Sequence, residues 1–220
     1  MPEIAPAVEA AGIGRRATAA VPSALSIRLF GASPHRDALR AFQLARRTFL
    51  AGERVEMGAL AAELGVDRTS LFRWVGNRDA LLSEVLWSLA VPTLEQADAA
   101  TEGRSGGDRV VAILTSFAHD LITADYFRAF LSREPARALR LLTTNGSQIQ
   151  RRYVAVVEQL VRQELGDRPF GRDIAPADLA YLLVRVSESF TYADLITGDA
   201  PSAERARAAF DLVLRPEEPR

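Results

Sequence analysis

The stretch LGVDRTSLFRWVGNRDALL, residues 64–82, brings together side chains that could bind a polyanion. Arginine and hydroxyl groups donate hydrogen bonds to phosphates and base edges, and apolar groups can touch a thymine methyl. The residues of this kind between positions 68 and 74 are Arg68, Thr69, Ser70, Phe72, Arg73 and Trp74. If one helix presents them on a single face, the chemistry they offer is recognition of duplex DNA, because an α-helix fits the major groove.

The surrounding sequence predicts the elements that would hold these side chains in place. Two short helices are expected, and their shared inward positions are Leu60, Ala61, Leu64, Val66, Leu71 and Val75. Gly65 lies between the helices and can adopt the positive φ of a tight turn. Asp67 is suited to cap the second helix, with its carboxylate accepting the amide of Thr69 or Ser70. A helix, a tight turn and a second helix form a helix-turn-helix.

Positive charge is concentrated around the same segment. The 220-residue chain has a formal net charge of −1, and all its basic residues are arginine. Residues 11–78, however, carry eleven arginines against five acidic residues, a net charge of +6. A basic region on a near-neutral chain is typical of a protein with one charged partner.

The segment ALAAELGVDRTSLFRWVGNRDALLSEVL resembles the DNA-binding signature of TetR-type (TetR/AcrR) transcriptional regulators. The matching positions are Leu60-Ala61, Leu64-Gly65-Val66, Asp67, Ser70-Leu71-Phe72, Val75 and 77–82, and the match covers roughly residues 36–90. The resemblance implies an all-α chain, with an N-terminal three-helix helix-turn-helix domain followed by a helical ligand-binding and dimerisation domain. Phe72 and Trp74 depart from the family pattern, which usually has tyrosine and often has histidine at these places.

The resemblance, together with the outward residues, predicts how DNA would be contacted. Base reading is assigned to Thr69, Ser70 and Arg73. Backbone contact is assigned to Arg68, Trp74 and Arg78, of which Arg78 matches a lysine of the family. The alternative is a small amphipathic helix whose polar face meets only water. The adjacent Phe72, Arg73 and Trp74 argue against that alternative, because exposing such a triplet without a partner is costly.

The sequence predicts three regions. Residues 1–31 are rich in Ala, Pro and Gly and are predicted to form a disordered arm that carries Arg15, Arg16 and Arg28. Residues 32–91 are predicted to be the helix-turn-helix domain, with Ser33 capping its first helix and Pro34 at the first helical position. Residues 92–216 are predicted to be the effector-binding and dimerisation domain. Its expected helices are 109–123, 125–133, 135–143, 147–165, 177–197 and 202–214.

The third region, 92–216, supplies candidates for an effector pocket and a dimer interface. The effector candidates are Phe117, His119, Phe127, Phe130, Tyr153, Arg185 and Glu188. The dimer candidates, on the last two helices, are Leu183, Val186, Phe190, Tyr192 and Phe210. The polar stripe Tyr181, Arg185, Glu188 and Tyr192 could also be a solvated face or part of the interface, and His119 could be purely structural.

Several function classes are disfavoured. The chain has no cysteine and two histidines, His35 and His119, and it lacks a glycine-rich phosphate-binding motif, so we expect no enzyme activity, metal or cofactor. No run of about 18 apolar residues is present, and the N-terminus does not read as a secretory signal, so a cytoplasmic protein is expected. A helical adaptor that binds protein is the remaining alternative.

The resulting hypothesis is a homodimeric repressor on a palindromic operator. A small, largely apolar effector would bind the second domain and release the protein from DNA. GERVEMGALAAELGVDRTSLFRWVGNRDALL and the later SESFTYADLITG resemble the QsdR-like branch of the family, which is associated with lactone breakdown. This narrower resemblance implies a lactone-related effector.

Overall fold

The computed structural model describes residues 13–167, 170 and 173–214. Within those residues the chain is all-α, as predicted, and an isolated antiparallel β-bridge joins Phe170 and Ile174. The helices of the described residues are α1 (Ile13–Ala20), α2 (Ala24–Phe30), α3 (Arg36–Leu50), α4 (Met57–Leu64), α5 (Arg68–Val75), α6 (Arg78–Ala100), α7 (Gly106–Thr123), α8 (Asp125–Arg133), α9 (Pro135–Thr143), α10 (Ile149–Leu165), α11 (Pro176–Thr191), α12 (Ala193–Ile196) and α13 (Ala203–Leu214).

The chain divides into two compact units, each made of separate stretches of sequence. The head unit consists of residues 21–90 and 125–150. The body unit consists, within the described residues, of 13–20, 91–124, 151–167, 170 and 173–214. The predicted second domain, 92–216, differs from the body unit, because α8 and α9 lie in the head unit with the helix-turn-helix. They lie there because α9 packs on α8 and α8 packs on α3.

The prediction of a disordered arm is wrong for residues 13–30. These residues form α1 in the body unit and α2 in the head unit, whereas residues 1–12 lie outside the described residues. Ala17, Leu25 and Leu29 are buried. Alanine is the strongest helix former, and this segment gains stability from contacts with residues distant in sequence, which local composition does not reveal.

The helix α3 supplies much of the apolar surface in the head unit, but it begins two residues later than predicted. His35, not Ser33, is its N-cap: the His35 backbone is extended, with φ −80° and ψ 112°, and its Nδ1 accepts a hydrogen bond from the Ala38 amide at 3.2 Å. Phe42 and Phe49 lie on the buried face of α3, together with the small Ala38, Ala41 and Ala45. This alternation of large and small residues allows neighbouring helices to approach closely.

The predicted helix-turn-helix is present as α4 and α5. Leu60, Ala61, Leu71 and Val75 are buried, and Leu64 and Val66 are half-buried. Gly65 ends α4 in the left-handed conformation, with φ 70° and ψ 33°. A residue with a Cβ is strained in that conformation, so the glycine is required by the turn.

Both ends of α5 are capped, the first by Asp67 as the sequence predicts. The Asp67 carboxylate accepts a hydrogen bond from the Ser70 amide at 2.8 Å. At the other end Gly76, with φ 74°, stops the helix. Asn77 then begins the next helix, because its side-chain oxygen accepts a hydrogen bond from the Ala80 amide at 2.8 Å. The caps confine α5 to eight residues.

The body unit is built around α7, α11 and α13, which pack against one another. Their buried residues include Val110, Ile113, Leu114, Leu179, Leu183 and Phe210. The predicted helix 177–197 is divided into α11 and α12 at Tyr192, whose φ of −112° and ψ of 23° depart from helical values. The helices α7, α11 and α13 each bury one face in this packing and leave the other face exposed.

We predict opposite effects of the same substitution at two glycines of the helix-turn-helix. Gly65→Ala should lower the free energy of unfolding by about 1 kcal/mol, because alanine disfavours the positive φ although the added Cβ would meet no atom within 4 Å. Gly58→Ala is the matched control: it lies inside α4, also in open space, and should raise that free energy by about 0.5–1 kcal/mol. Urea unfolding at a fixed protein concentration measures both. Equal effects of the two substitutions would contradict this account of the turn.

Candidate nucleic-acid interface

The helix α5 separates its side chains into two faces. Leu71 and Val75 are 0% and 1% exposed and fix the helix to the rest of the head unit. Thr69, Phe72 and Arg73 are exposed away from that face, Arg68 is exposed at the first position of the helix, and Trp74 is half-buried. Phe72 is 40% exposed, so part of its ring is available to a partner. The outward face thus carries cationic, hydroxyl and aromatic groups together, as the sequence predicts.

Ser70 is engaged in the cap of α5. Its hydroxyl donates a hydrogen bond to the Asp67 Oδ2 at 2.8 Å, while its amide donates to Oδ1. These two hydrogen bonds lower the pKa of the Asp67 carboxyl below its usual value, and the bond from the Ser70 amide has the larger effect. Because the Ser70 proton is committed to Asp67, the groups best placed for predicted base reading are those of Thr69 and Arg73.

Arg28, which was predicted to lie in a disordered arm, holds the carboxyl end of α5. Arg28 Nη1 donates hydrogen bonds to the carbonyl oxygens of Arg73, at 2.8 Å, and Trp74, at 3.2 Å. The His35 ring lies beside the Trp74 ring, with centroids 6.2 Å apart. Trp74 is therefore bordered by other residues of the head unit. This role of Arg28 could not be predicted from local sequence, because 45 positions separate Arg28 from Arg73.

The placement of Arg78 contradicts its predicted role as a phosphate contact. Its Nη1 and Nη2 each donate to a carboxylate oxygen of Glu134 at 2.6 Å, and its Nε donates to the Val55 carbonyl. Only 12% of the Arg78 side chain is exposed. A bidentate pair and a backbone bond use all three guanidinium nitrogens, so this arginine is a structural residue.

Arg78 belongs to a wider ionic cluster that we define as Arg54, Arg78, Asp79, Glu134, Arg137 and Arg140. The hydrogen bond from Arg78 holds the pKa of the Glu134 carboxyl below its usual value, against the opposing effect of burial. Burial also opposes ionisation of Asp79, but the hydrogen bond from Arg140 and the charges of Arg137 and Arg140 leave the Asp79 pKa lowered. The ionic cluster therefore joins α9 to the start of α6 within the head unit.

The effector candidates are divided between the body unit and the head unit. Phe117 and Tyr153 are in contact in the body unit, with ring centroids 5.1 Å apart. Phe127 and Phe130 belong to the head unit, where the Phe130 ring packs on Phe49 at a centroid distance of 5.4 Å. His119 is exposed on α7. The predicted seven-residue set is thus divided between the two units, and Phe117 and Tyr153 form an aromatic contact within the body unit.

Polar groups surround that aromatic pair. The Tyr153 hydroxyl donates a hydrogen bond to Ser187 Oγ at 3.3 Å. Burial raises the pKa of Tyr153, so the phenol is neutral at physiological pH. Glu188 is 6% exposed and forms an ion pair with Arg185, with Nη1 and Oε2 2.7 Å apart. An apolar site with a few oriented polar groups is the usual character of a small-molecule site.

His119 lines a different feature, an open groove between α7 and α13 with a volume of about 810 Å³. Charged residues of both signs line it: Arg104, Asp108, Glu204, Arg207 and Asp211. The groove is a polar surface of the body unit, and Phe117 and Tyr153 are not among its lining residues.

Three of the five predicted dimer residues are buried inside the protomer. Leu183 and Phe210 are 0% exposed and Tyr192 is 5% exposed, so they have almost no surface to offer a partner. Val186 and Phe190 are half-buried. Apolar residues that are exposed on α11 and α13 are Tyr181, Leu182 and Leu212. The 3.6-residue period locates both faces of a helix, but it does not say which one the protomer covers.

The part of the chain that the structure describes has no group of three or more His, Cys, Asp or Glu side chains placed to hold a metal ion. No single helix there is long and apolar enough to cross a membrane; α7 and α8 meet the length and composition criteria only as a bent pair.

The C-terminal half of the chain matches a known protein family. A family model described as the tetracyclin repressor-like C-terminal domain matches residues 105–215. The solved structure of the TetR-family transcriptional repressor QsdR from R. erythropolis is 27% identical, with a TM-score of 0.73, and the match covers 84% of this chain and 97% of that chain.

A second solved structure, the TetR-family transcriptional regulator PfmR from Thermus thermophilus, is 19% identical, with a TM-score of 0.41. That match covers 82% of this chain and 100% of that chain. No curated protein matches the chain.

The Arg78–Glu134 pair predicts a pH-dependent difference in stability. Glu134→Gln should lower the free energy of unfolding at pH 7 by about 1.5–3 kcal/mol, because a hydrogen bond between charged groups is lost. A carboxyl with a lowered pKa stabilises the fold above its unfolded pKa, and this contribution is lost as the pH falls through the lowered value. The gap between wild type and Glu134→Gln should therefore narrow from pH 7 to pH 3 in urea unfolding.

The control for this measurement is Glu63→Gln, since Glu63 is exposed on α4. Its effect should be small at every pH. A Glu134→Gln gap that stays constant between pH 7 and pH 3 would contradict the structural role given to the Arg78–Glu134 pair.

Proposed function

This chain belongs to the TetR family of transcriptional regulators, and we propose that it is a sequence-specific repressor that binds a palindromic operator as a homodimer. Proteins of this family are DNA-binding regulators rather than enzymes. The proposal places the protein in the cytoplasm, where a small, largely apolar effector binds the body unit and releases it from DNA. The observation that carries the proposal is the exposed surface of α5, where Thr69, Phe72 and Arg73 point away from the buried Leu71 and Arg68 is exposed at the first position of the helix.

We propose that Thr69 and Arg73 read bases and that Arg68 contacts phosphate. Arg73 is exposed in the last turn of α5, and its guanidinium has the fork geometry that matches the edge of guanine. Arg68 is the first residue of α5, at the positive end of the helix, where phosphate oxygens are also attracted to free amides. Phe72 supplies an apolar contact suited to a thymine methyl, and Trp74 contributes its single N–H donor at the edge of the surface.

Arg73→Ala should flatten the preference among operator variants. The expected loss of discrimination at the affected base pair is ~1–3 kcal/mol, the value of one bidentate arginine–guanine contact. Fluorescence anisotropy with duplexes that differ from the operator by single base pairs measures it. Arg68→Ala is the matched control, and it should weaken binding to all duplexes equally and reduce the slope of log K against log[salt] by about 0.9. An equal loss for every duplex with Arg73→Ala would show that Arg73 is a phosphate contact.

We propose that the dimer forms through the outward faces of α11 and α13. Tyr181 and Leu212 are 52% and 73% exposed, which leaves apolar surface uncovered on both helices. Val186 and Phe190 add half-buried surface to the face of α11, and the Arg205 guanidinium lies 5.2 Å from the centre of the Phe190 ring. A contiguous apolar patch rimmed by charge is typical of an interface. Two copies are also needed to read the two halves of a palindrome.

Leu182→Glu should convert the dimer to a monomer, because it would bury two uncompensated carboxylates at a two-fold interface. Sedimentation velocity at micromolar concentration measures this change. Leu50→Glu is the matched control, since Leu50 lies in the head unit and has the same 39% exposure as Leu182. If Leu182→Glu stays dimeric, another face of the body unit forms the interface.

For the effector, we propose a site formed around Phe117 and Tyr153, with Arg185 and Glu188 as its charged neighbours. The aromatic rings suit an apolar chain, and the Tyr153 and Ser187 hydroxyl groups suit a carbonyl or ring oxygen. The resemblance to the QsdR-like branch favours a lactone-related compound. Such an effector releases DNA only to the extent that it prefers the conformation that does not bind DNA.

A further inference from the structure

We propose that residues 13–30 form a strap that joins the body unit to the recognition helix α5, and that Arg28 is the residue through which the strap positions α5. The proposal rests on the proposed function, since it concerns how the DNA-reading face is held. The strap lies in the segment whose sequence predicted disorder, and its role depends on contacts at each of its ends.

The first end of the strap, α1, is anchored in the body unit. Ala17 is 2% exposed, and Gly14 lies so close to α6 that an added Cβ would be 3.0 Å from Val91 Cγ2 and 3.1 Å from its Cα. Arg15 forms an ion pair with Glu95, with Nε and Oε1 3.3 Å apart. Because backbone atoms limit the space at Gly14, a larger residue there must displace the helix.

A second polar contact fixes α1 to α10. With the Gln159 amide oriented so that its oxygen faces Arg16, that oxygen accepts hydrogen bonds from Nε at 2.6 Å and Nη2 at 2.7 Å. Two consecutive arginines therefore hold α1 to two different helices of the body unit, α6 through Arg15 and α10 through Arg16.

The second end of the strap, α2, is anchored in the head unit. Ser23 caps α2 reciprocally with Ser26, and its hydroxyl donates a hydrogen bond to Glu84 Oε1 at 2.6 Å. Glu84 is 2% exposed, so this bond ties the start of α2 into the interior of the unit. At the other end of α2 the Phe30 ring packs edge-on against Phe42 of α3, with centroids 5.6 Å apart.

Arg28 extends from this anchored helix to the carboxyl end of α5. Its bonds to the Arg73 and Trp74 carbonyls satisfy acceptors that have no partner inside the helix, and its charge lies at the negative end of the helix dipole. A helix of eight residues is too short to be stable alone, so its direction depends on such external contacts. Arg28 acts on DNA recognition through α5 and is a positioning residue.

The two ends of the strap are joined with little slack. Three residues, Val21 to Ser23, separate α1 from α2, and four Cα–Cα steps span at most about 14 Å. The middle residue, Pro22, removes one rotatable backbone angle. A displacement of α1 with the body unit therefore pulls on α2, and through Arg28 on α5.

The first test compares Arg28→Ala with Arg28→Lys and the wild type in the full chain. All carry Trp87→Phe, so that Trp74 is the sole tryptophan. Arg28→Ala should weaken operator binding by about fivefold to tenfold and shift Trp74 emission to longer wavelength, because the end of α5 becomes freer. The slope of log K against log[salt] should stay unchanged, because Arg28 bonds carbonyls and not phosphates. Arg28→Lys should restore most of the affinity, since its ammonium keeps the charge and the donors.

Arg40→Ala controls for the loss of an exposed positive charge in the head unit and should leave Trp74 emission unchanged. Wild-type affinity in Arg28→Ala would overturn the positioning role of Arg28. A decrease of the salt slope by about 0.9 would also overturn it, because Arg28 would then be a phosphate contact.

The second test addresses the strap through Gly14→Leu, with Ala19→Leu on the exposed side of α1 as the matched control. Gly14→Leu should displace α1, seen as faster tryptic cleavage after Arg15 and Arg16. It should also shift Trp74 emission and weaken operator binding in the same direction as Arg28→Ala. Ala19→Leu should do neither. Faster cleavage without any change at Trp74 would show that α1 and α2 act independently and would overturn the strap.

The emission and proteolysis measurements need no DNA. Failure of the wild-type protein to bind any duplex would refute the proposed function, while these two measurements would still decide whether the strap exists.

Discussion

The short length of α5 is the constraint on which the rest of the head unit depends. A helix of eight residues gains little stability from its own length. Its stability comes from outside: the Asp67 cap at one end, the buried Leu71 and Val75 on one face, and the Arg28 bonds at the other end. These contacts leave the opposite face exposed without loosening the helix.

Arginine performs two different tasks in this head unit, and burial separates them. Arg78 is 12% exposed and bonds Glu134 through two parallel hydrogen bonds, which joins α9 to the start of α6. Arg68, at the first position of α5, and Arg73, on its outward face, are exposed. The guanidinium group suits both tasks because its fork geometry matches carboxylate, phosphate and guanine alike. Residue type alone therefore cannot distinguish a structural arginine from one that meets DNA.

The features that were predicted from sequence are those with local causes. The cap at Asp67, the turn at Gly65 and the inward Leu71 and Val75 each depend on neighbours within four residues, and the structure confirms them. The failed predictions have distant causes. The helices α1 and α2 need contacts from elsewhere in the chain. The burial of Leu183 and Phe210, which were predicted to lie at the dimer interface, follows from which faces α7, α11 and α13 cover.

The central claim is that two copies of the α5 face read a symmetric DNA sequence, and selection of bound duplexes from a random pool tests it most directly. The 220-residue chain should enrich an inverted repeat whose half-sites lie about one helical turn, or a multiple of it, apart. This binding should weaken steeply with added salt. Enrichment of a single asymmetric site, or no enrichment above the starting pool, would show that two α5 helices do not read a symmetric sequence.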